Sequence, residues 1–140
     1  MTDERWATLW LIIVIFAFAL IWTFIASIAH ARDFGQWDRS SELSKWYQTL
    51  MQPDNPAVSC CGEADAYFCD DYRYEKGKAL CTISDDRPDE PRHRPHVEIG
   101  TVIEIPNHKL KFDQGNPTEH GVVFLSTGMF VYCFVAPGGV

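Results

Sequence analysis

Ser59-Cys60-Cys61-Gly62-Glu63-Ala64-Asp65-Ala66-Tyr67 is the stretch on which the reading of this 140-residue chain turns. Two adjacent cysteines, two acids and several small residues stand between a helix-patterned half and a half built of short β-type runs. A junction of that kind predicts an α+β domain, with one amphipathic helix packed on a sheet. Within the stretch, Gly62–Ala66 is expected to form a single helical turn.

Immediately upstream, Leu43, Trp46, Tyr47, Leu50 and Met51 recur at i, i+3, i+4, i+7 and i+8, one apolar stripe of a helix. Ser40 or Ser41 can cap its start, and Glu42 suits the positive end of the helix dipole. Pro53 ends it, and Asp54-Asn55-Pro56 reads as a turn. Downstream, Tyr67–Tyr74 and Lys78–Ser84 form two arms of a hairpin around Glu75-Lys76-Gly77. Val97–Ile105 alternates as a strand, Leu110 and Phe112 mark a short one, and Gly121–Leu125 and Met129–Val135 flank Ser126-Thr127-Gly128 as a second hairpin. The expectation is a small antiparallel sheet of about five strands, curled or SH3-like. Between the hairpin and Val97 lies Asp85–His96 (DDRPDEPRHRPH), a Pro-rich, mixed-charge segment expected to be a solvated loop. It lacks the alternating ligands and central glycine of a calcium loop.

At the far N-terminal side, Trp6–Ala29 carries no charge. As a helix it would be about 36 Å long, enough for a hydrocarbon core of about 30 Å. Residues 1–31 are therefore expected to be a signal anchor that spans the inner membrane once through residues 6–29, and residues 32–140 an exported domain. Cleavage near Ala31, in the small-x-small pattern Ala29-His30-Ala31, is the alternative, disfavoured by the length of the apolar run. Arg5 on one side against Arg32, Arg39 and Lys45 on the other would by itself keep the domain in the cytoplasm. Five cysteines in a small domain argue instead for an oxidising compartment, here the periplasm. Beyond residue 31 there are 17 acids and 11 scattered bases. That balance, with a net charge of −7 overall, excludes nucleic acid as a partner.

All five cysteines fall between Cys60 and Cys133. Cys69 and Cys81 sit on opposite arms of the first hairpin. They are a few residues out of register, so a bulge or a longer loop is needed to join them. Cys133 is expected to bond Cys60 or Cys61; Cys61 is taken as the bonded partner and Cys60 as the free thiol. Two functional readings compete with these staples. A thiol-redox centre would use the spare cysteine of Cys60-Cys61, although no Cys-x-x-Cys exists and Glu63 and Asp65 oppose ionisation. A metal site would draw on Cys60, Cys61, Cys69, Cys81, His93 and His96, without the paired spacings of structural zinc. Glu63, Asp65 and His120 form a possible cluster for acid–base work, and a dyad of Cys60 or Cys61 with His120 is its nucleophilic variant. No GxSxG, P-loop, GxGxxG or HExxH pattern occurs. No catalytic residue, metal or cofactor is assigned.

Four strings give a resemblance: SCCGEADAY (residues 59–67), DDRPDEPRHRPH (85–96), IPNHKLKFDQGNPTEHGVVF (105–124) and VYCFVAPGGV (131–140). Together they resemble a family of small uncharacterised exported proteins of alphaproteobacteria, over most of Asp33 to Val140. The resemblance implies a leader followed by an exported domain. It also implies that Cys60, Cys61 and Cys133 are the shared set and that Cys69 and Cys81 are an additional pair. The long uncharged leader departs from that pattern. The function expected is a membrane-tethered, non-enzymatic binding or structural module of the periplasm, with an envelope protein as partner.

Overall fold

A computed structural model describes residues 6, 10, 12–20, 40–62, 64–90 and 93–138. The chain divides into two units, residues 1–33 and 34–140. In the first, residues 12–20 are helical, with Ile12, Phe16, Phe18 and Leu20 each more than half exposed. Among the described residues no helix is long and apolar enough to cross a membrane. The expected span over residues 6–29 falls largely outside the described residues, as does the cleavage pattern at Ala29–Ala31.

In the second unit, helix α1 covers Glu42–Thr49. Ser41 is extended and its hydroxyl accepts from the Ser44 amide at 3.1 Å, so the serine cap expected there is in place. The backbone turns extended at Leu50, and Met51 bridges to Ser59. Of the apolar stripe, Leu50 is buried and Trp46 and Tyr47 pack beneath the helix, while Met51 is exposed.

Six strands follow: β1 Asp65–Glu75, β2 Lys78–Ile83, β3 Val102–Ile105, β4 Leu110–Lys111, β5 Val122–Leu125 and β6 Val131–Val135. Their order is β3-β2-β1-β5-β6-β4, and β4 runs parallel to β6. The sheet is thus mixed and six-stranded, not five-stranded and antiparallel. Connectivity forces it to curl. β3 and β4 are the two edges, yet only Pro106 and the 3₁₀ turn Asn107–Lys109 join them. Five Cα steps reach at most about 18 Å. The edges of a flat six-stranded sheet stand about 24 Å apart. The sheet therefore bends into a half-barrel, and no ladder joins β3 to β4 among the described residues.

The curl encloses one core: Tyr67, Cys69, Cys81, Ile83, Ile103, Ile105, Val123, Leu125 and Phe134. A second core lies on the other face under α1: Leu50, Cys60, Val122, Phe124, Cys133 and Val135. β5 feeds both, so all four of its residues are buried and it reads as an unbroken apolar run. Two expected elements change. Val97–Ile105 is a strand only from Val102, because Glu98–Gly100 turns, with Gly100 at φ +90°; this leaves Ile99 exposed. Of the helical turn expected at Gly62–Ala66, Asp65 and Ala66 lie in β1 instead, and Glu63 is outside the described residues.

The first hairpin explains a cysteine pairing. Lys76 and Gly77 both have positive φ, 51° and 81°, the turn whose twist matches the strands it joins. Counted from that turn, Glu75↔Lys78 and Arg73↔Leu80 pair directly. Continued unbroken, that register would set Cys69 and Cys81 three positions apart, on opposite faces. A bulge between Asp70 and Arg73, with Asp71 at φ 51°, removes one position. Cys69 now faces Ile83, two residues from Cys81, on the same face, and the two are bonded with Cα atoms 5.5 Å apart. Deleting Asp71 takes out the extra residue itself and leaves Cys69 opposite Ile83, so the Cys69–Cys81 bond is expected to survive with no further thiol open to alkylation. Loss of the bond in that deletion, read by mass after labelling, would contradict this account of the register.

Candidate functional site

The polar chemistry gathers where β1 lacks a neighbour. At residues 65–68 β1 pairs with β5 on one side, but β2 ends at Ile83, opposite Cys69. Phe68 C=O accepts from the Ser84 amide at 3.1 Å. Beyond it the Phe68 N–H and the Ala66 C=O would be left bare at a sheet edge. Side chains of the 85–96 loop take the strand's place. The Asp85 carboxylate accepts from Phe68 N–H at 3.1 Å. Arg87 and Arg94 donate to Ala66 C=O at 3.2 and 3.1 Å. Both guanidinium groups also bond Asp85 Oδ2 at 2.6 Å, and Arg94 reaches Asp89 at 2.8 Å and the Arg87 carbonyl. Burial alone would push the Asp85 carboxyl up. The hydrogen bonds from Arg87, Arg94 and Phe68 N–H outweigh it and hold the group far below the usual carboxylate range. The segment expected to be solvated thus carries Asp85 and Arg94 at 6% exposure each. Tyr67 donates to Pro95 C=O at 2.6 Å and lies under the Arg94 guanidinium, closing the strap.

Phe68 carries the network to a histidine. The Arg87 guanidinium carbon is 3.7 Å from the Phe68 ring centre, and the His120 ring stacks at 4.4 Å with planes 19° apart. Two planar groups at those distances cannot share one side of a ring, so Phe68 lies between them. His120 Nδ1 is 2.8 Å from Asp70 Oδ2. Asp70 also accepts from Ser84 Oγ at 2.6 Å and from Gly121 N–H at 3.1 Å. Partial burial raises the Asp70 carboxyl, but the Ser84, His120 and Gly121 bonds prevail and keep it low. An ionised carboxylate only accepts, so His120 Nδ1 carries a hydrogen, and in the neutral ring the lone pair is on Nε2. Nε2 makes no hydrogen bond among the described residues.

The loop before β5 is built to hold this ring. Asn116 is buried; its amide donates to the His120 and Ala136 carbonyls, and its oxygen accepts from Thr118 N–H and Oγ1. Glu119 sits at φ +60°. Gly121 lets the chain pass close to β1, since a Cβ there would lie 2.3 Å from the Cys69 carbonyl oxygen.

The cysteines occupy the opposite end of the α1 face. Cys60, not Cys61, bonds Cys133, with Cα atoms 5.6 Å apart, and Cys61 is the free thiol. This reverses the expected assignment. Leu50 C=O accepts from the Cys60 amide at 2.9 Å, which turns Cys60 into the core beside Val122 and Phe124. Cys61 is left facing the helix, its sulfur 3.3 Å from the Tyr47 carbonyl that accepts from it. Burial pushes its thiol up to about 12, against a weaker opposing pull from Ser59. At pH 7 on the order of one thiol in 10⁵ is ionised.

Of the expected cluster, Glu63 lies outside the described residues. Asp65 starts β1 opposite Leu125, while His120 bonds Asp70, five residues and about 17 Å further along the strand. The structure therefore does not bring Asp65 and His120 together. Neither cysteine of the expected dyad serves His120: Cys60 is in a disulfide and Cys61 bonds α1. Among the described residues no three His, Cys, Asp or Glu side chains converge as ion ligands; His93 and His96 bond Glu90 and Asp89 instead.

Two outcomes follow from this geometry. Asp85→Asn leaves two guanidinium groups without their shared anion and is expected to cost about 3–5 kcal/mol in urea unfolding at pH 7. Because the folded Asp85 carboxyl is depressed, its contribution is whole above the unfolded value near 3.9 and is lost as pH falls through the folded one. The wild type should therefore weaken in acid more steeply than the variant, and parallel pH profiles would refute the assignment. Cys60→Ser opens a bond closing a 73-residue separation and should cost about 4 kcal/mol. Cys61→Ser should keep both bonds and lose no more than about 1 kcal/mol. Peptide mapping that finds a bond missing in Cys61→Ser would contradict the pairing.

No family model, curated protein or solved structure matches this chain, so its function rests on its own residues.

Proposed function

We propose that this chain is a membrane-tethered, periplasmic module that works by binding or supporting an envelope partner rather than by catalysis. The observation that carries the reading is the state of the cysteines. Four are spent in two fully buried bonds, and the fifth is partly buried with its thiol raised to about 12. Disulfides of this kind persist in an oxidising compartment, which supports export. A thiol so rarely ionised is a poor nucleophile, which tells against redox chemistry at Cys61. The uncharged run at residues 6–29 supports a tether.

Contact surface is also on offer. Phe112 and Phe130 are 75% and 74% exposed. Phe112 follows the β4 residue paired with Val135, and Phe130 precedes Val131, so the two rings flank opposite ends of β6.

A reporter enzyme that is active only in the periplasm, fused after residue 140, should be active in cells. A photo-reactive residue at Phe112 or Phe130 should then yield a discrete crosslinked species in the envelope fraction. A silent fusion would overturn the location, and an active fusion without a crosslink at either ring would overturn the binding role.

A further inference from the structure

We infer that His120 is a nucleophilic site, whose Nε2 takes an acyl group from a neutral or cationic acyl donor such as an activated ester or carbonate. Three observations converge on it. The ring is fixed in plane by Phe68 and in tautomer by Asp70, so the lone pair is held at Nε2. The side chain is 45% exposed, and Nε2 is uncommitted among the described residues. The loop that presents the ring is bound by every polar atom of the buried Asn116 amide and contains the left-handed Glu119.

Comparison with His96 separates His120 from an ion-paired ring whose carboxylate is shared with a second cation. His96 also bonds an aspartate, Asp89 at 2.7 Å, but that carboxylate is shared with the Arg94 guanidinium at 2.8 Å. Asp70 is different: its other donors, Ser84 Oγ and Gly121 N–H, are neutral. Its charge is therefore directed at the His120 N–H, which makes Nε2 the more electron-rich nitrogen. The same charge, with Arg87 already engaged by Asp85 and Ala66, repels an anionic donor and selects a neutral or cationic one.

The step balances. The Nε2 lone pair forms a C–N bond to the acyl carbon. The acyl–oxygen bond breaks, and the leaving oxygen keeps the electron pair. Asp70 offsets the positive charge on the acylated ring until the Nδ1 proton leaves through the carboxylate to solvent, and solvent water protonates the leaving oxygen. The products are N-acyl His120 and the protonated leaving group, and no oxidant or metal takes part. This extends a binding role to covalent capture, and that role stands whether or not His120 reacts.

Diethyl pyrocarbonate is the probe, used in limiting amount on the full-length chain at pH 7.5, with labelling of each histidine followed by peptide mass. His120 should be modified roughly tenfold faster than His96 and His108, at the lower end of what a carboxylate partner contributes to a working histidine. His96 is the more exposed side chain, at 71%, so accessibility alone predicts the reverse order. Asp70→Asn, with both disulfides verified, should bring His120 down to the rate of His108. Labelling of His120 no faster than His96, or an unchanged rate in folded Asp70→Asn, overturns the proposal. If Asp70→Asn does not fold, the order of the three histidines in the wild-type chain decides the matter.

Discussion

The Asp85 carboxylate does the work of a missing strand. β1 is longer than the partner beside it, and its first residues present an amide and a carbonyl to a side where no backbone arrives. One buried acid and two arginines answer both groups. A buried ionic cluster is normally weak support for a fold, because desolvation offsets the attraction. Here each charge also meets a backbone group that would otherwise be bare, so the cluster removes a penalty as well as paying its own. Other features depend on it. Arg87 in this position backs one side of Phe68, and His120 rests on the other. Tyr67 is fixed to Pro95 by the same strap. The ion cluster and the Asp70–His120 pair are in this sense one construction, with Phe68 as the shared wall.

The two disulfides divide the remaining labour by reach. Cys69–Cys81 joins the arms of one hairpin, 12 residues apart, and on loop length contributes about 3 kcal/mol. Cys60–Cys133 ties the turn after α1 to the last strand across 73 residues, and so fixes the helix over the outer face of the sheet. A free thiol next in sequence to this second bond is a standing route to exchange. Burial of Cys61 against α1, with its thiol at about 12, closes that route at neutral pH.

Much of the scaffold was legible in the sequence. The serine cap, the apolar stripe and the Lys76-Gly77 turn rest on local rules, and local rules decided them. That Cys69 and Cys81 need a bulge or a longer loop followed from counting residues; that it is a bulge, and that Asp71 is its place, did not. What stayed hidden was set by distant partners. Cys60 and Cys61 are equivalent in sequence, and only the amide bond of Cys60 to Leu50 decides which faces the core. β4 is two residues long, and its parallel pairing with β6 carries no local signal. The 85–96 segment has the composition of a solvated loop; its burial depends on an unpaired edge that no composition reveals. The site was legible only in part, since His120 stood out but Asp70 and Ser84 lie on other strands or loops, 50 and 36 positions away in the chain.

Amide hydrogen exchange at Phe68 tests the central claim most directly, because that amide has a side chain and not a strand as its acceptor. If Asp85 closes the edge of β1, the Phe68 amide exchanges at pH 7 as slowly as the Cys69 amide, which is bonded to the Gly121 carbonyl. Exchange of Phe68 at the rate of an exposed loop amide, with Cys69 still protected, would show that the edge is open and would contradict the account.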